Sequence, residues 1–187
     1  MPDNDRLLVE QAREHPEAFG RLYDRYVDRI YRYAVRLVQD DAVAQDVTAV
    51  TFEKALRHLD RFRDGSFLAW LYTIARNEAM SAHRRQKWLA PLHALTGGSD
   101  RRGTETAVAR HERRHQLYQA LARLSAKDRD LIVLRFFEGL DSGEVADIVG
   151  CTPGALYVRL HRALDRLRQQ LTLLDAQLEV LTHVEEI

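Results

Sequence analysis

One cysteine, Cys151, occurs in the 187 residues. An internal disulfide and a cysteine-cluster zinc site are therefore excluded. No apolar run approaches the length of a membrane span, and the first residues, MPDNDRLLVEQ, have no signal-peptide core. This reading expects a soluble protein of the cytoplasm, without membrane insertion. There is no internal repeat, no stretch alternating with strand period and no glycine-rich phosphate loop. A nucleotide-hydrolysing fold built on such a loop is not indicated. Net charge is also absent, with 28 basic and 28 acidic residues. A nucleic-acid ligand looks disfavoured until the charges are placed along the chain.

Their distribution is uneven. Residues 1–60 balance at −3, 61–90 at +4, 91–117 at +2, 118–150 at −2, 151–171 at +3 and 172–187 at −4. Two basic blocks alternate with acidic ones. Salt screens surface charges beyond roughly 10 Å, so a phosphate responds to the local block and not to the sum.

What is present is helix. Phe19, Leu22, Tyr23, Tyr26, Ile30, Tyr31, Ala34 and Leu37 recur at spacings of three and four. A second helix is expected over residues 42–59, with Val43, Val47, Val50, Leu56 and Leu59 as core candidates. A third is expected over 66–87, after a glycine-containing loop. Residues 89–110 hold Gly97, Gly98 and Gly103 among Ser and Thr, with no clear period. They read as a linker between two domains, 1–88 and 111–171. Helix resumes near Glu105 and runs to about Leu124. Ser125 with Asp128 suggests a capping box before the next helix. An acidic helical tail is expected at 172–187. The fold class is all-α, two small helical domains joined by a flexible linker.

The most informative stretch is 139–168, GLDSGEVADIVGCTPGALYVRLHRALDRLR. Asp141 and Glu144 form a capping box, Gly150 suits a turn, and Thr152 caps a second helix with Pro153 in its first position. Leu156, Leu160, Ala163, Leu164, Leu167 and Leu171 make one apolar stripe. Gly154, Ala155, Val158, His161 and Arg162 point the other way, flanked by Tyr157 and Arg159. A helix that enters on small residues and carries cations further along suits a major groove, and the second domain is read as a helix-turn-helix. Base reading is assigned to Ala155, Tyr157, Val158 and His161, and phosphate contact to Arg159, Arg162 and Arg166, with Thr152 at the entry.

The first basic block combines Arg61, Arg63, Arg76, Arg84, Arg85 and Lys87 with Phe62, Phe67, Trp70, Tyr72 and Trp88. Asn77 adds a donor and an acceptor. Opening DNA needs cations for the backbone and a stacking surface for displaced bases. Burial in the core is the competing role for Phe67 and Trp70.

Three pieces in order, AFGRLYDRYVDRIYRYAVRLVQD, QDVTAVTFEKALRHLDRF and FLAWLYTIARNEAMSAHRR, followed by ALARLSAKDRDLIVLRFFEGLDSGEVADIVGCTPGALYVRLHRALDRLRQQL, resemble the extracytoplasmic-function (ECF) sigma factors of bacterial RNA polymerase. The resemblance covers about residues 15–87 and 115–171. It implies docking on core polymerase by the helix around Asp46, Ala49, Val50, Thr51 and Phe52. It implies −10 promoter recognition and melting by Arg61, Phe62, Arg63, Arg76, Asn77, Arg84, Arg85 and Lys87. The helix from Pro153 would read the −35 element. Control by an anti-sigma protein is implied too, and no cofactor or metal. The chain departs from the family at Ala49 and Val50, where an acidic pair is common, at Ser81, where Asp is common, and at Tyr157 and Val158, where Lys-Ser is frequent.

Other readings stand beside this one. HERRH at 111–115 matches the H-E-x-x-H zinc protease pattern, but its flanks are polar, no second ligand signature follows, and three arginines lie close. A helix-turn-helix regulator that does not join polymerase is the nearer alternative. The acidic tail could also shield the basic helix in cis, against the simpler reading of a solvated helix end.

Overall fold

A computed structural model describes residues 3–63, 65–89 and 105–185, with side chains over 5–63, 65–85, 114–174 and at 176. The linker core at 90–104 lies outside the described residues, as do the side chains of Lys87, of His111, Glu112 and Arg113, and of most of the tail.

Four helices make the first domain: α1 (Asp3–Glu14), α2 (Gly20–Val38), α3 (Asp41–Arg57) and α4 (Phe67–Leu89). The apolar stripe of α2 is buried from Leu22 through Tyr26, Ile30 and Tyr33 to Leu37. The helix ends at Gln39, whose φ of 60° is left-handed. Asp40 then caps α3, its carboxylate accepting from Val43 N at 2.9 Å. Thr48 and Thr51 are buried on α3. Their hydroxyls are satisfied by the carbonyls of Ala44 and Val47, at 2.7 and 2.6 Å.

Leu56, expected in the core, is 42% exposed. Helix α1 was not anticipated. Its Leu8, Val9 and Ala12 are buried, and buried Asp5 accepts from Arg25 and Tyr26 of α2. Only three short apolar residues carry its helical face, too few to stand out in sequence.

The second domain holds α5 (Glu105–Arg123), α6 (Ala126–Ile132), α7 (Ser142–Val149) and α8 (Pro153–Glu185). A single π-helical turn, Val133–Phe137, extends α6. The capping box at Asp141 and Glu144 is present in both directions, each bond at 2.9 Å. Gly150 takes φ 69° to make the turn. At α6 the box is only half formed. Ser125 accepts from Asp128 N at 3.2 Å, but the shorter Asp carboxylate takes the Ser125 hydroxyl, at 2.8 Å, in place of a backbone N–H.

The domains do not hang apart from one another. One hydrophobic core runs from Leu8 and Phe67 of the first domain to Leu134, Val145 and Leu156 of the second. Polar groups seal the seam. Asp130, 1% exposed, accepts from Tyr33 Oη at 2.7 Å and Arg76 Nε at 2.6 Å. Buried Glu138 accepts from Tyr72 and from Arg36 Nη1 at 3.1 Å, while Arg29 reaches its main-chain carbonyl at 2.7 Å. Arg129 is buried, with no carboxylate partner among the described residues. It donates to Leu37 O at 2.7 Å and to the carbonyls of Leu121, Ala122 and Leu124 at 2.9, 3.0 and 3.1 Å. One guanidinium thus satisfies the open carbonyls at the ends of α2 and α5.

Candidate nucleic-acid and polymerase interface

The turn into α8 puts the expected recognition helix on the surface. Thr152 Oγ1 accepts from Ala155 N at 3.3 Å and so caps it. Leu156, Ala163 and Leu167 are buried beneath. Tyr157 is 73% and Val158 46% exposed, two adjacent large apolar groups in solvent. Arg159, His161 and Arg162 are exposed beside them, and Ala155 is half-buried. Among the described residues neither Arg159 nor Arg162 has a carboxylate partner. His161 Nδ1 lies 3.0 Å from Asp165, and Arg166 holds both oxygens of Asp128 at 2.9 Å.

The first-domain set divides. Arg61, Arg63, Asn77, Arg84 and Arg85 are exposed. Phe62 is not: it is 5% exposed and packs with Phe67 and Trp70 at ring-centroid distances of 5.4 Å each. It supports the site from beneath and cannot stack on a base in this arrangement. Arg76 is committed to Asp130. Burial pushes the Asp130 carboxyl above its usual range, a shift the Arg76 charge and the Tyr33 hydroxyl oppose. Tyr33 and Tyr72 are also held above the ordinary phenol range, by burial first and then by their carboxylate partners.

The docking set divides in the same way. Asp46, Ala49 and Val50 line a groove of about 360 Å³ with Glu78 and Arg85, between α3 and α4. Thr51 and Phe52 are buried at 0% and 4%. They hold α3 in place, Phe52 against Phe19 and Tyr23, and cannot touch a partner directly. The β-branched and aromatic pair was read as surface because burial depends on which neighbours cover the helix.

A second cleft, of about 440 Å³, gathers Arg76 and Lys127 with Arg159, Arg162 and Arg166. Of the expected first-domain DNA cations, Arg76 thus lies at the seam beside the arginines of α8. Sequence reasoning placed these arginines but not the carboxylates against them. Asp128 and Asp130 flank Arg129 in a helix that reads as ordinary, and no local signal announces partners 38 and 54 residues away.

Comparison with known proteins follows the same division. The sigma-70 region 2 profile matches residues 22–89, and the sigma-70 region 4 profile matches 114–167. The chain belongs to the ECF sigma factors. It is 31% identical to RNA polymerase sigma factor CarQ of Myxococcus xanthus, over 83% of this chain and 90% of that protein. It is 34% identical to the ECF RNA polymerase sigma factor BldN of Streptomyces coelicolor, over 88% of this chain but 64% of the longer BldN. Among solved structures it resembles CnrH in complex with the cytosolic domain of CnrY, with a TM-score of 0.68, 30% identity, and coverage of 93% and 99% of the two chains.

As a sigma factor, the protein binds core RNA polymerase and promoter DNA and directs promoter-specific initiation. Sigma factors are initiation factors and not enzymes, which sets aside the metalloprotease reading of HERRH and the regulator that never joins polymerase. No helix among the described residues is long and apolar enough to cross a membrane.

Proposed function

We propose that residues 1–88 dock on polymerase and open the −10 element, and that residues 111–171 read the −35 element. Docking uses the groove of Asp46, Ala49 and Val50. The −10 strand is held by Arg61, Arg63, Asn77, Arg84, Arg85 and Lys87, with Arg76 joining once it leaves Asp130. Ala155, Tyr157, Val158 and His161 meet base edges, and Arg159, Arg162 and Arg166 meet phosphate. Apolar Val158 and Ala155 suit thymine methyl groups. The observation that supports this best is the pairing of exposed Tyr157 and Val158 with Arg159 and Arg162, which have no carboxylate partner among the described residues, on one capped helix.

The protein works in the cytoplasm, where its polymerase is. Its partner in regulation is an anti-sigma protein, consistent with the similar sigma factor RpoE of Bartonella quintana, solved in complex with the anti-sigma factor NepR. The deciding experiment is reconstitution with core polymerase and genome-wide mapping of transcript starts, in the wild type and in Val158→Ser. A shift of the shared −35 sequence is expected. Identical start sites in the variant would exclude Val158 from base reading.

A further inference from the structure

The turn that carries Arg61 and Arg63 is held from a helix that carries none of the expected contacts. Leu59–Arg61 is a single short helical turn, and Phe62 follows it in extended backbone, with φ −69° and ψ 117°. Extended backbone sends successive side chains to opposite sides. Phe62 points into the core, 5% exposed against Phe67 and Trp70, and Arg61 and Arg63 are left in solvent. The main chain of the turn has its own fixing. Arg13, in the last turn of α1, donates from Nη2 to Leu59 O at 3.3 Å and also to Phe62 O. A charged donor makes the stronger kind of hydrogen bond, and a rigid guanidinium shared by two acceptors sets an orientation as well as a distance. Helix α1 is itself anchored. Leu8, Val9 and Ala12 are buried, and Asp5 accepts from Arg25 and Tyr26 of α2.

We infer that Arg13 is a positioning residue for the −10 element: its guanidinium clamps the main chain on both sides of Arg61 and sets where Arg61 and Arg63 meet the opened strand. The inference rests on the reading of Arg61 and Arg63 as −10 contacts. Arg13 acts through the turn and not by contact with DNA. The Phe62 ring fixes the segment from beneath, and Arg13 fixes its carbonyls from the side of α1. Without the second anchor the two cations ride on a loop, and a loop that must be ordered on binding loses affinity to the cost of ordering it. Helix α1 thus takes part in promoter opening without lying on the promoter.

The test uses the full chain bound to core polymerase. The probes are a single-stranded oligonucleotide carrying the −10 element, and a duplex carrying the −35 element, of a promoter located by start-site mapping. Arg13→Gln should retain the far-UV helical signal and the affinity for core polymerase. It should bind the −10 strand about tenfold more weakly, the worth of a charge-assisted hydrogen bond. Its binding to the −35 duplex should be unchanged. R61A/R63A should lose more on the −10 strand. Adding R13Q to that variant should cost nothing further, because a residue that acts through the two arginines then has nothing left to place. Additive losses overturn the inference. So does equal weakening on both probes, or unchanged −10 binding in Arg13→Gln. Should Arg13→Gln fail to fold, Arg13→Lys carries the same cycle. It keeps the charge, but one ammonium is a poor substitute for a fork across two carbonyls. A −10 loss that vanishes in the R61A/R63A background is still required of it, and no loss overturns the inference. Unchanged −10 binding in R61A/R63A faults the reading of the turn itself, whatever Arg13→Gln shows, and the inference falls with it.

Discussion

Arginine means different things in two regions of this molecule. At the seam Arg36, Arg76 and Arg129 are inside the fold, each with acceptors from the opposite domain. On α8, Arg159 and Arg162 stand in solvent with no carboxylate among the described residues. The first group holds the domains together and the second is available to a ligand. A buried charge must have a partner, because desolvation costs several kcal/mol, whereas a surface charge is solvated by water and needs none. Residue type alone says nothing about which group an arginine joins.

The contrast can be broken from its strong side first. Glu138→Ala strands Arg36 and Tyr72, while Arg29 keeps the main-chain carbonyl of residue 138, and should cost about 3–5 kcal/mol, measured by denaturant unfolding; a loss below about 1 kcal/mol would mean the seam is solvated. Arg129→Ala removes the shared donor of four carbonyls, of which Leu121 O keeps the Leu124 N–H, and should cost about 2–4 kcal/mol, with Lys a poor replacement because one ammonium cannot span four acceptors. Removing the cap with Asp141→Ala should cost about 1 kcal/mol and loosen the entry to α8. At the other pole, Arg162→Ala should leave stability within about 0.5 kcal/mol of wild type. It should weaken DNA binding across sequences and flatten the salt dependence by about one unit. A sequence-specific loss with the slope intact would move Arg162 into the base-reading group.

The gentlest probe is alkaline titration. Tyr33 and Tyr72 are raised in the folded state, so folding keeps their protons where the unfolded chain gives them up. Their contribution to stability is whole below pH about 10, the ordinary phenol value, and falls as pH rises above it. Tyrosine absorbance should therefore show a late step that coincides with loss of helix. Two phenols titrating at the ordinary value in folded protein would place the seam in water.

The sequence was legible where a signal is local. The α8 stripe, the Asp141–Glu144 box, Gly150 and the Thr152 cap all appear as read, because each depends on residues within one or two turns. The exposed helix-turn-helix face followed from the same periodicity. Reading failed where a neighbour distant in sequence decides. Phe62, Thr51 and Phe52 were placed on surfaces, and their burial comes from Trp70, Phe67, Phe19 and Tyr23 packing over them. Helix α1 was missed because its short face gains meaning only against α2.

By itself, then, the sequence determined helices α2 to α8, the caps at Asp141 and Thr152 and which side of α8 is exposed, since hydrophobic period and capping act over a few residues. Only the tertiary structure decided that the domains close on each other and that Asp130 meets Arg76. Pairing of groups 54 residues apart depends on which faces dock, and the exclusion of water at that contact turns an ordinary surface charge into a fixed, partnered one.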